Sequence, residues 1–440
     1  MLDHRPTPPA DVLIKGAHVL DPRTGIDAKL DVLVRDGKIA ELGTDLQFDG
    51  EIVDGAGKHV FPGFVDPHVH LRVPGQEHKE DLETGTRSAA AGGFVAIVAM
   101  PNTSPTVDSA PILGSLREAA RREARVPVGF MASVTTGLQG DALTEMAELK
   151  AAGALGFTDD GKPVYRAGLL RKALQYQKLV GGIIALHEED MTLSGNGVMH
   201  EGEVSARLGL AGIPSISEST MIARDAAIAR YENGRIHIQH LSARESVEAI
   251  AEAKARGVKI TCEASPHHLT LTEDALLEKL DTRLKMNPPL RSEDDRQALI
   301  DGLRTGTIDC IATDHAPHAR EEKEVPFEQA PMGTTGLETA FAAVYTELVK
   351  PGVLPLALVV QKLSAGAALM DLPTPKIEVG KPADLVLIDL EAEWEVGEAG
   401  YESRSENCCF AGRTLSGKVI TTIAAGGIVF RERNFTVVGA

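Results

Sequence analysis

The chain has 440 residues, of which 43% are hydrophobic and 25% charged, so it is long enough for a barrel-sized catalytic domain with an accessory unit, and wholesale disorder is excluded. Its 45 lysine and arginine residues against 63 aspartate and glutamate residues give a net charge of −18, which argues against nucleic acid and anionic membranes as partners. Its four cysteines are too few for a disulfide framework and predict a cytoplasmic protein, and the sequence has neither a leader pattern nor an apolar run of membrane-spanning length.

The two ends of the chain are predicted to be rich in β-strands. Near the N-terminus, Asp36-Gly37, a pair typical of a type I′ hairpin turn, joins two short strand-like runs. Near the C-terminus, further runs cover residues 384–389, 419–423 and 426–430. We therefore expect residues 1–57 and 372–440 to meet in one small β-sandwich domain.

Between these ends, strand-like runs alternate with helical segments. Eight such runs cover residues 64–70, 94–100, 126–132, 154–158, 183–187, 235–240, 258–264 and 309–314. This alternation predicts an α/β fold, a parallel (β/α)8 barrel of the TIM type over residues 58–371. In such a barrel, the catalytic residues lie on the loops that follow the strands.

Local signals indicate two helix boundaries within the barrel. Met146 and Leu149 are spaced as on one face of a helix, and Gly153 is typical of the residue that ends it. Ser242 and Glu245 have the spacing of a capping box and predict that a helix begins there.

A His-x-His motif marks the end of the first barrel strand. His68 and His70 lie two residues apart, so both point to the same side of an extended strand and can share one metal ion. Taken alone, such a short motif is more often a pair of hydrogen-bonded histidines. Whether the motif indicates a metal site therefore depends on the residues at the ends of the other strands.

Further imidazole and carboxylate groups lie after other strands of the predicted barrel. They are Asp159 and Asp160 after the fourth strand, His187 after the fifth, His240 after the sixth and Asp314 after the eighth. Parallel strands end at one rim, so these groups predict two zinc ions with a shared hydroxide. Asp314 is placed to take up a proton and pass it to a leaving nitrogen. Spacing alone does not choose between Asp159 and Asp160.

Other polar residues at strand ends are candidates for substrate binding. Arg72 lies just beyond the His-x-His motif and carries a guanidinium suited to a carboxylate. Asn102 follows the second strand and Asn287 the seventh. His267 and His268 also follow the seventh strand. Because adjacent residues point to opposite sides of a strand, at most one could face a metal, and neither is assigned.

These motifs resemble the class I dihydroorotase family of the amidohydrolase superfamily. The resemblance rests on segments that occur in the family's order, namely residues 66–75, 77–80, 100–103, 157–161, 285–291, 311–318, 330–333 and 383–386. It implies a hydrolase of cyclic amide bonds that interconverts N-carbamoyl-L-aspartate and L-dihydroorotate in de novo pyrimidine biosynthesis.

The resemblance also implies a role for each site residue. His68, His70 and Asp314 would hold one zinc ion, and His187 and His240 the other. Asp160 and a hydroxide would bridge the two ions, and Asp314 would act as general base and acid. The residues implied to bind substrate are His70, Arg72, Asn102, Asn287, His318, and Met332 and Gly333 through their backbone.

Two alternatives are weighed against this interpretation. A sister enzyme acting on hydantoins, dihydropyrimidines or allantoin would carry a carboxylated lysine and would not need Arg72. Asp160 argues against that enzyme, although Lys162 is near enough in sequence to supply the lysine. A non-catalytic scaffold for aspartate transcarbamoylase would have lost ligands, and here each is present. The resemblance leaves open a homodimer and a complex with the transcarbamoylase.

Overall fold

The computed structural model describes residues 1–432, so residues 433–440 of the predicted terminal domain lie outside the described residues. The first strands are β1 (Val12–Asp21), β2 (Ile26–Arg35), β3 (Lys38–Gly43), β4 (Glu51–Asp54) and β5 (His59–Pro62). β2 and β3 form a hairpin whose turn residues Asp36 and Gly37 have φ values of 47° and 70°. Two positive φ values are what a type I′ turn requires, so the predicted hairpin is confirmed.

The next ten strands include the eight strands of the barrel. They are β6 (Phe64–Val69), β7 (Phe94–Ala99), β8 (Val128–Phe130), β9 (Phe157–Thr158), β10 (Ile184–Leu186), β11 (Met199–His200), β12 (Gly212–Ile213), β13 (Arg235–Ile238), β14 (Lys259–Ala264) and β15 (Cys310–Ile311). β6 to β8 are parallel neighbours, as are β9, β10, β13, β14 and β15, while β11 pairs with β12. Parallel bridges from Ala132 to Phe157 and from Val69 to His315 join the two groups. The predicted eight-stranded parallel barrel is therefore confirmed.

The last strands are β16 (Leu385–Glu395), β17 (Thr414–Ala424) and β18 (Gly427–Arg431). They share one eight-stranded sheet with the N-terminal strands, in the order β18-β17-β16-β5-β1-β2-β3 with β4 beside β1. The expected meeting of the two chain ends is therefore confirmed. Because β5 pairs with β1 and β16, this sheet extends to Pro62. The division into residues 1–57 with 372–440 and residues 58–371 stays a prediction.

The α-helices lie between these strands. They are α1 (Leu82–Ala91), α2 (Ala110–Glu123), α3 (Met146–Ala152), α4 (Ala167–Val180), α5 (Met191–Ser194), α6 (Glu203–Leu208), α7 (Ile216–Glu232), α8 (Arg244–Ala255), α9 (Pro266–Thr270), α10 (Ala275–Glu278), α11 (Glu293–Thr305), α12 (Arg320–Lys323), α13 (Ala340–Val344), α14 (Leu356–Leu363) and α15 (Gly366–Leu369). Gly153 ends α3 with φ 109°, as predicted. Leu113, Leu174 and Ile250 from three of these helices join the barrel strands in one apolar core.

The predicted capping box at Ser242 is wrong. α8 begins at Arg244, and its N-cap Ala243 has no side-chain hydrogen bond to offer. The Ser242 hydroxyl donates instead to Glu218, and the N–H of Arg244 donates to Asp295 Oδ1 at 2.9 Å. A backbone N–H at the start of α8 is thus bound by a side chain from α11, a contact that local sequence spacing cannot reveal.

Two features bear on the predicted environment of the protein. The four cysteines lie within residues 1–432 and are free, buried thiols. Over the same residues, every helix falls short of the length and apolar character that a bilayer crossing would demand.

Candidate metal centre

The residues predicted to bind metal all lie at the C-terminal ends of barrel strands. They are His68 and His70 at the end of β6, Asp160 after β9, His187 after β10, His240 after β13 and Asp314 after β15. All six are buried. Strand order rather than sequence distance therefore brings them to one rim.

Asp160 lies between two pairs of histidines. The ligand atoms of His68, His70 and Asp160 are within 4.8 Å of one another, and so are those of Asp160, His187 and His240. Asp160 Oδ1 lies 3.4 Å from His68 Nε2 and 3.7 Å from His240 Nε2, while Asp160 Oδ2 lies 3.3 Å from His70 Nε2. One carboxylate thus belongs to both groups.

Asp314 completes the first group. Its Oδ1 lies 3.1 Å from His70 Nε2 and 3.5 Å from His68 Nε2. Burial raises the pKa of Asp314, but a hydrogen bond from His70 and the charge of His68 lower it further, below its usual value. The carboxyl group is therefore ionised at neutral pH.

The chemistry of these groups fits divalent metal ions. Asp160 Oδ1 and His240 Nδ1 are buried without a hydrogen-bond partner among residues 1–432, whereas buried polar atoms normally have one. His187 Nδ1 lies 2.8 Å from His240 Nε2, so two ring nitrogens face each other. Imidazole and carboxylate are the ligands that zinc takes in catalytic sites.

The electrostatics of the centre also favour bound cations. Burial lowers the pKa of His68, but Asp160 and Glu263 raise it well above its usual value. Because carboxylates favour positive charge on the imidazole so strongly, a bound cation would be favoured there as well.

Three of the predicted site residues have left-handed backbone conformations. The φ values are 60° at Arg72, 33° at His240 and 48° at Asp314. Such values are costly for residues other than glycine and cluster at functional sites. Each of the three follows a barrel strand, where the chain turns sharply to aim a side chain into the rim.

The two adjacent aspartates have different surroundings. The Asp159 carboxylate accepts hydrogen bonds from the N–H groups of Val134 at 2.8 Å and Thr135 at 3.0 Å. Asp160 faces the histidines instead. The side chain of Lys162 is exposed, whereas Asp160 is buried at the centre. The geometry therefore favours Asp160 over both of the other candidates as the residue between the two groups.

Arg72 and His318 lie next to each other beside the centre. The Arg72 side chain is buried, and its Nε donates to the Pro317 carbonyl at 3.1 Å. Burial and the charge of Arg72 lower the pKa of His318 to about 3, so its imidazole is neutral at neutral pH. His318 Nε2 then donates to the Met332 carbonyl at 2.9 Å. These contacts bring three of the predicted substrate-binding residues together.

Gly333 is held tightly beside the same histidine. Its φ is 141°, and a Cβ there would lie 2.9 Å from the Ala316 Cβ and 3.0 Å from His318 Nε2. Its N–H donates to the Lys285 carbonyl at 2.9 Å. Only glycine fits at this position without displacing the loop.

The two predicted asparagines contact residues of the centre. Asn102 Oδ1 lies 2.9 Å from His70 Nδ1, so the asparagine accepts a hydrogen bond from the imidazole. Asn287 Nδ2 donates to Glu189 Oε2 at 2.9 Å, and the same oxygen lies 3.4 Å from His187 Nε2. Asn102 is therefore positioned by a predicted metal ligand, and Asn287 by a carboxylate that contacts another.

Glu263 in β14 is a candidate that the sequence reasoning missed. Its Oε1 lies 2.5 Å from His68 Nδ1, and its Oε2 lies 2.9 Å from His237 Nε2. Burial raises the pKa of Glu263, but His68 and His237 together lower it to about 2. No local pattern marks it, because β14 also carries the polar residues Lys259 and Thr261.

Replacing Glu263 by glutamine is expected to weaken metal binding about 10- to 100-fold, because its carboxylate holds His68 with Nε2 toward Asp160. Titration with a competing chelator measures this affinity. Glu232→Gln is the matched control, since Glu232 is also buried but pairs with Arg171 at 2.7 Å. A folded Glu263→Gln protein with unchanged metal affinity would contradict the orienting role.

His267 and His268 follow β14, as predicted, but the argument from the alternating faces of a strand does not apply to them. Both lie on α9. His268 is enclosed between the Ser265 hydroxyl at 2.6 Å and the Pro288 carbonyl at 2.9 Å. Neither histidine belongs to the two metal-binding groups described above.

Comparison with known proteins relates this centre to a family. Residues 57–246 match the family described as Dihydro-orotase-like. The chain is 47% identical over 424 residues to a dihydroorotase of Pelotomaculum thermopropionicum, covering 96% of this chain and 99% of that protein. It is 46% identical over 422 residues to a dihydroorotase of Syntrophotalea carbinolica, covering 96% and 99%.

Solved structures share the fold over nearly the whole chain. An L-hydantoinase (dihydropyrimidinase) from Arthrobacter aurescens aligns with a TM-score of 0.85 and 26% identity, covering 97% of each chain. A dihydropyrimidinase from Brevibacillus agri aligns with a TM-score of 0.83 and 25% identity, covering 97% of this chain and 96% of that one.

Proposed function

The chain belongs to the dihydroorotase family, and from this premise we propose that it interconverts N-carbamoyl-L-aspartate and L-dihydroorotate, a step of de novo pyrimidine synthesis. The observation that carries the proposal is the pair of buried metal-binding groups that share Asp160 at the C-terminal rim of the barrel. Hydrolysis and formation of a cyclic amide bond is the chemistry that such a centre supports.

We propose two zinc ions as the cofactor. His68, His70 and Asp314 would hold one ion, His187 and His240 the other, and Asp160 both. Bound there, the ions would supply an activated water and polarise the amide carbonyl. Glu263 would keep His68 in the tautomer and orientation that ligation needs.

Asp314 would carry the proton. Its ionised carboxylate can accept a proton from the attacking water and deliver it to the ring nitrogen as the C–N bond breaks. In ring closure the same carboxyl group would accept the proton from the ureido nitrogen and return it to the departing water. A single residue can serve both directions because the reaction is reversible.

The remaining residues would hold the substrate. Arg72, Asn102 and His318 would bind its carboxylate, with His70 alongside. Asn287 and the backbone of Met332 and Gly333 would contact the ring amides. When substrate binds, the Nε2–H of His318 would turn from the Met332 carbonyl to the substrate carboxylate, which would leave that carbonyl free to accept a ring N–H.

Substrate attraction would be local. The net charge of −18 repels an anionic substrate at long range, and salt screens that repulsion over about 10 Å. The buried guanidinium of Arg72, together with bound cations, would provide the attraction within the rim.

Replacing Arg72 by alanine is expected to raise KM for dihydroorotate about 30-fold or more, equivalent to about 2 kcal/mol, because a buried charge pair with the carboxylate is lost. Metal content is expected to stay unchanged. The matched control is Arg320→Ala, which removes the same charge from an exposed side chain paired with Glu324 at 2.6 Å. Loss of metal in the Arg72→Ala protein would instead mean that Arg72 is structural.

A sister cyclic amidohydrolase is the second candidate, favoured by the fold that the chain shares with hydantoinases. The exposed side chain of Lys162 disfavours it. Purified, zinc-loaded protein should be assayed side by side on dihydroorotate, hydantoin and allantoin. We expect turnover of dihydroorotate well above the other two, and preference for a neutral ring would move the assignment to the sister enzyme.

Assembly and location stay predictions from the resemblance and from cysteine usage. They comprise a homodimer, a complex with aspartate transcarbamoylase, and a cytoplasmic location. The complete ligand set argues against a scaffold without catalytic activity.

A further inference from the structure

A segment from the C-terminal part of the chain forms part of the wall beside the candidate site. Residues 403–409 lie between β16 and β17, outside the barrel strands. The Ser403 hydroxyl donates to Glu80, and the Ser405 hydroxyl donates to the Lys79 carbonyl at 2.7 Å. These bonds attach the segment to the loop before α1.

Asn407 is the residue of this segment that reaches the substrate-binding groups. The residue is only 4% exposed. Its Oδ1 accepts from the backbone N–H of His318 at 3.0 Å, and its Nδ2 donates to the carbonyls of Ala316 at 3.2 Å and Gly333 at 3.1 Å. One amide group therefore joins the loop after β15 to the loop that carries Gly333.

Lys323 also holds the loop that carries Gly333, through separate hydrogen bonds. Its ammonium group donates to the carbonyls of Pro331 at 2.8 Å and Thr282 at 2.9 Å. A cavity of about 360 Å³ lies beside these contacts, and Lys323, Asn407 and His318 are among the residues that line it. Because these Lys323 hydrogen bonds do not involve Asn407, loss of the amide should shift the loop rather than unfold it.

We propose that Asn407 is a positioning residue, which sets the spacing between His318 and the Met332-Gly333 backbone and thereby the affinity for a ring that bears a carboxylate. This inference rests on the proposed function. An amide suits the task because it offers an acceptor and two donors at once. A carboxylate of the same shape would keep the acceptor for His318 and lose both donors.

The test compares Asn407→Ala and Asn407→Asp with Ser405→Ala in the zinc-loaded full chain. A displacement of about 1 Å at a binding group can cost up to about 100-fold. We therefore expect both Asn407 variants to raise KM for dihydroorotate about 10- to 100-fold, with kcat changed by less than about threefold. Ser405→Ala removes a buried hydrogen bond from the same segment, so it should lower Tm while leaving KM unchanged.

Thr334→Val provides a second route that leaves the Asn407 side chain intact. The Thr334 hydroxyl donates to the Asn407 carbonyl at 3.0 Å, so its loss should loosen the segment and raise KM several-fold. If the Asn407 variants do not fold, KM of this variant tests the positioning role. Unchanged KM in the folded variants, or an equal rise in Ser405→Ala, would overturn the positioning role.

The two proposals fail in different ways. Wild-type protein that does not turn over dihydroorotate would refute the proposed function. In that case the same variants, assayed on whichever ring the wild type does hydrolyse, still test Asn407 through its contact with Gly333. Wild-type turnover of dihydroorotate with unaltered KM in the variants would refute the Asn407 role alone.

Discussion

Replacing Asp160 by asparagine is expected to remove most of the bound metal and to lower kcat/KM for dihydroorotate about a thousandfold or more, equivalent to about 4 kcal/mol. The reason is geometric, because Asp160 is the carboxylate common to both histidine groups. A neutral amide keeps the size of the side chain and loses the charge that draws a cation toward each pair. Metal content by elemental analysis and steady-state kinetics on the same preparation measure the two effects.

Asp159→Asn is the matched control for this prediction. Asp159 is adjacent and also buried, but its carboxylate accepts hydrogen bonds from the backbone of Val134 and Thr135. Its replacement should cost about 1–3 kcal/mol of stability and leave the metal content intact. If Asp160→Asn kept both its metal and its activity, Asp160 would not be the shared ligand.

Replacing Asp314 by asparagine is expected to lower kcat about 10²- to 10⁴-fold, because the proton acceptor is lost. Folding and most of the metal should be retained, since an amide oxygen remains at the position of the carboxylate. Rates at saturating substrate, measured with zinc-loaded protein of known metal content, separate this loss from a loss of metal.

Asp309→Asn is the control for Asp314. The two aspartates flank the same short strand, β15, but Asp309 lies at its N-terminal end and pairs with Lys254 at 2.7 Å. Since the chemistry lies at the C-terminal rim, Asp309→Asn should change stability and not kcat. A near-normal kcat in Asp314→Asn would remove Asp314 from the mechanism.

Much of the candidate centre could be predicted because residues that follow the strands of a parallel barrel lie at the catalytic rim. His187, His240 and Asp314 each follow a strand-like run, and parallel strands end at one rim. Their convergence is therefore a consequence of the strand pattern alone. The choice of Asp160 over Asp159 needed either the family resemblance or the structure, since both residues follow β9.

The groups that support the centre could not be predicted in the same way. Glu263 orients His68 from a different strand, and Asn407 reaches His318 from outside the barrel. Both contacts join residues far apart in the chain, where no local spacing carries a signal. The failed capping box at Ser242 has the same cause, because its hydroxyl is bound by Glu218 of another helix.

Anomalous diffraction at the zinc edge from zinc-loaded crystals would show directly whether Asp160 lies between two metal ions. We expect two peaks on either side of the Asp160 carboxylate, one beside His68 and His70 and the other beside His187 and His240. A single peak, or peaks that avoid Asp160, would contradict a centre in which one carboxylate serves two ions.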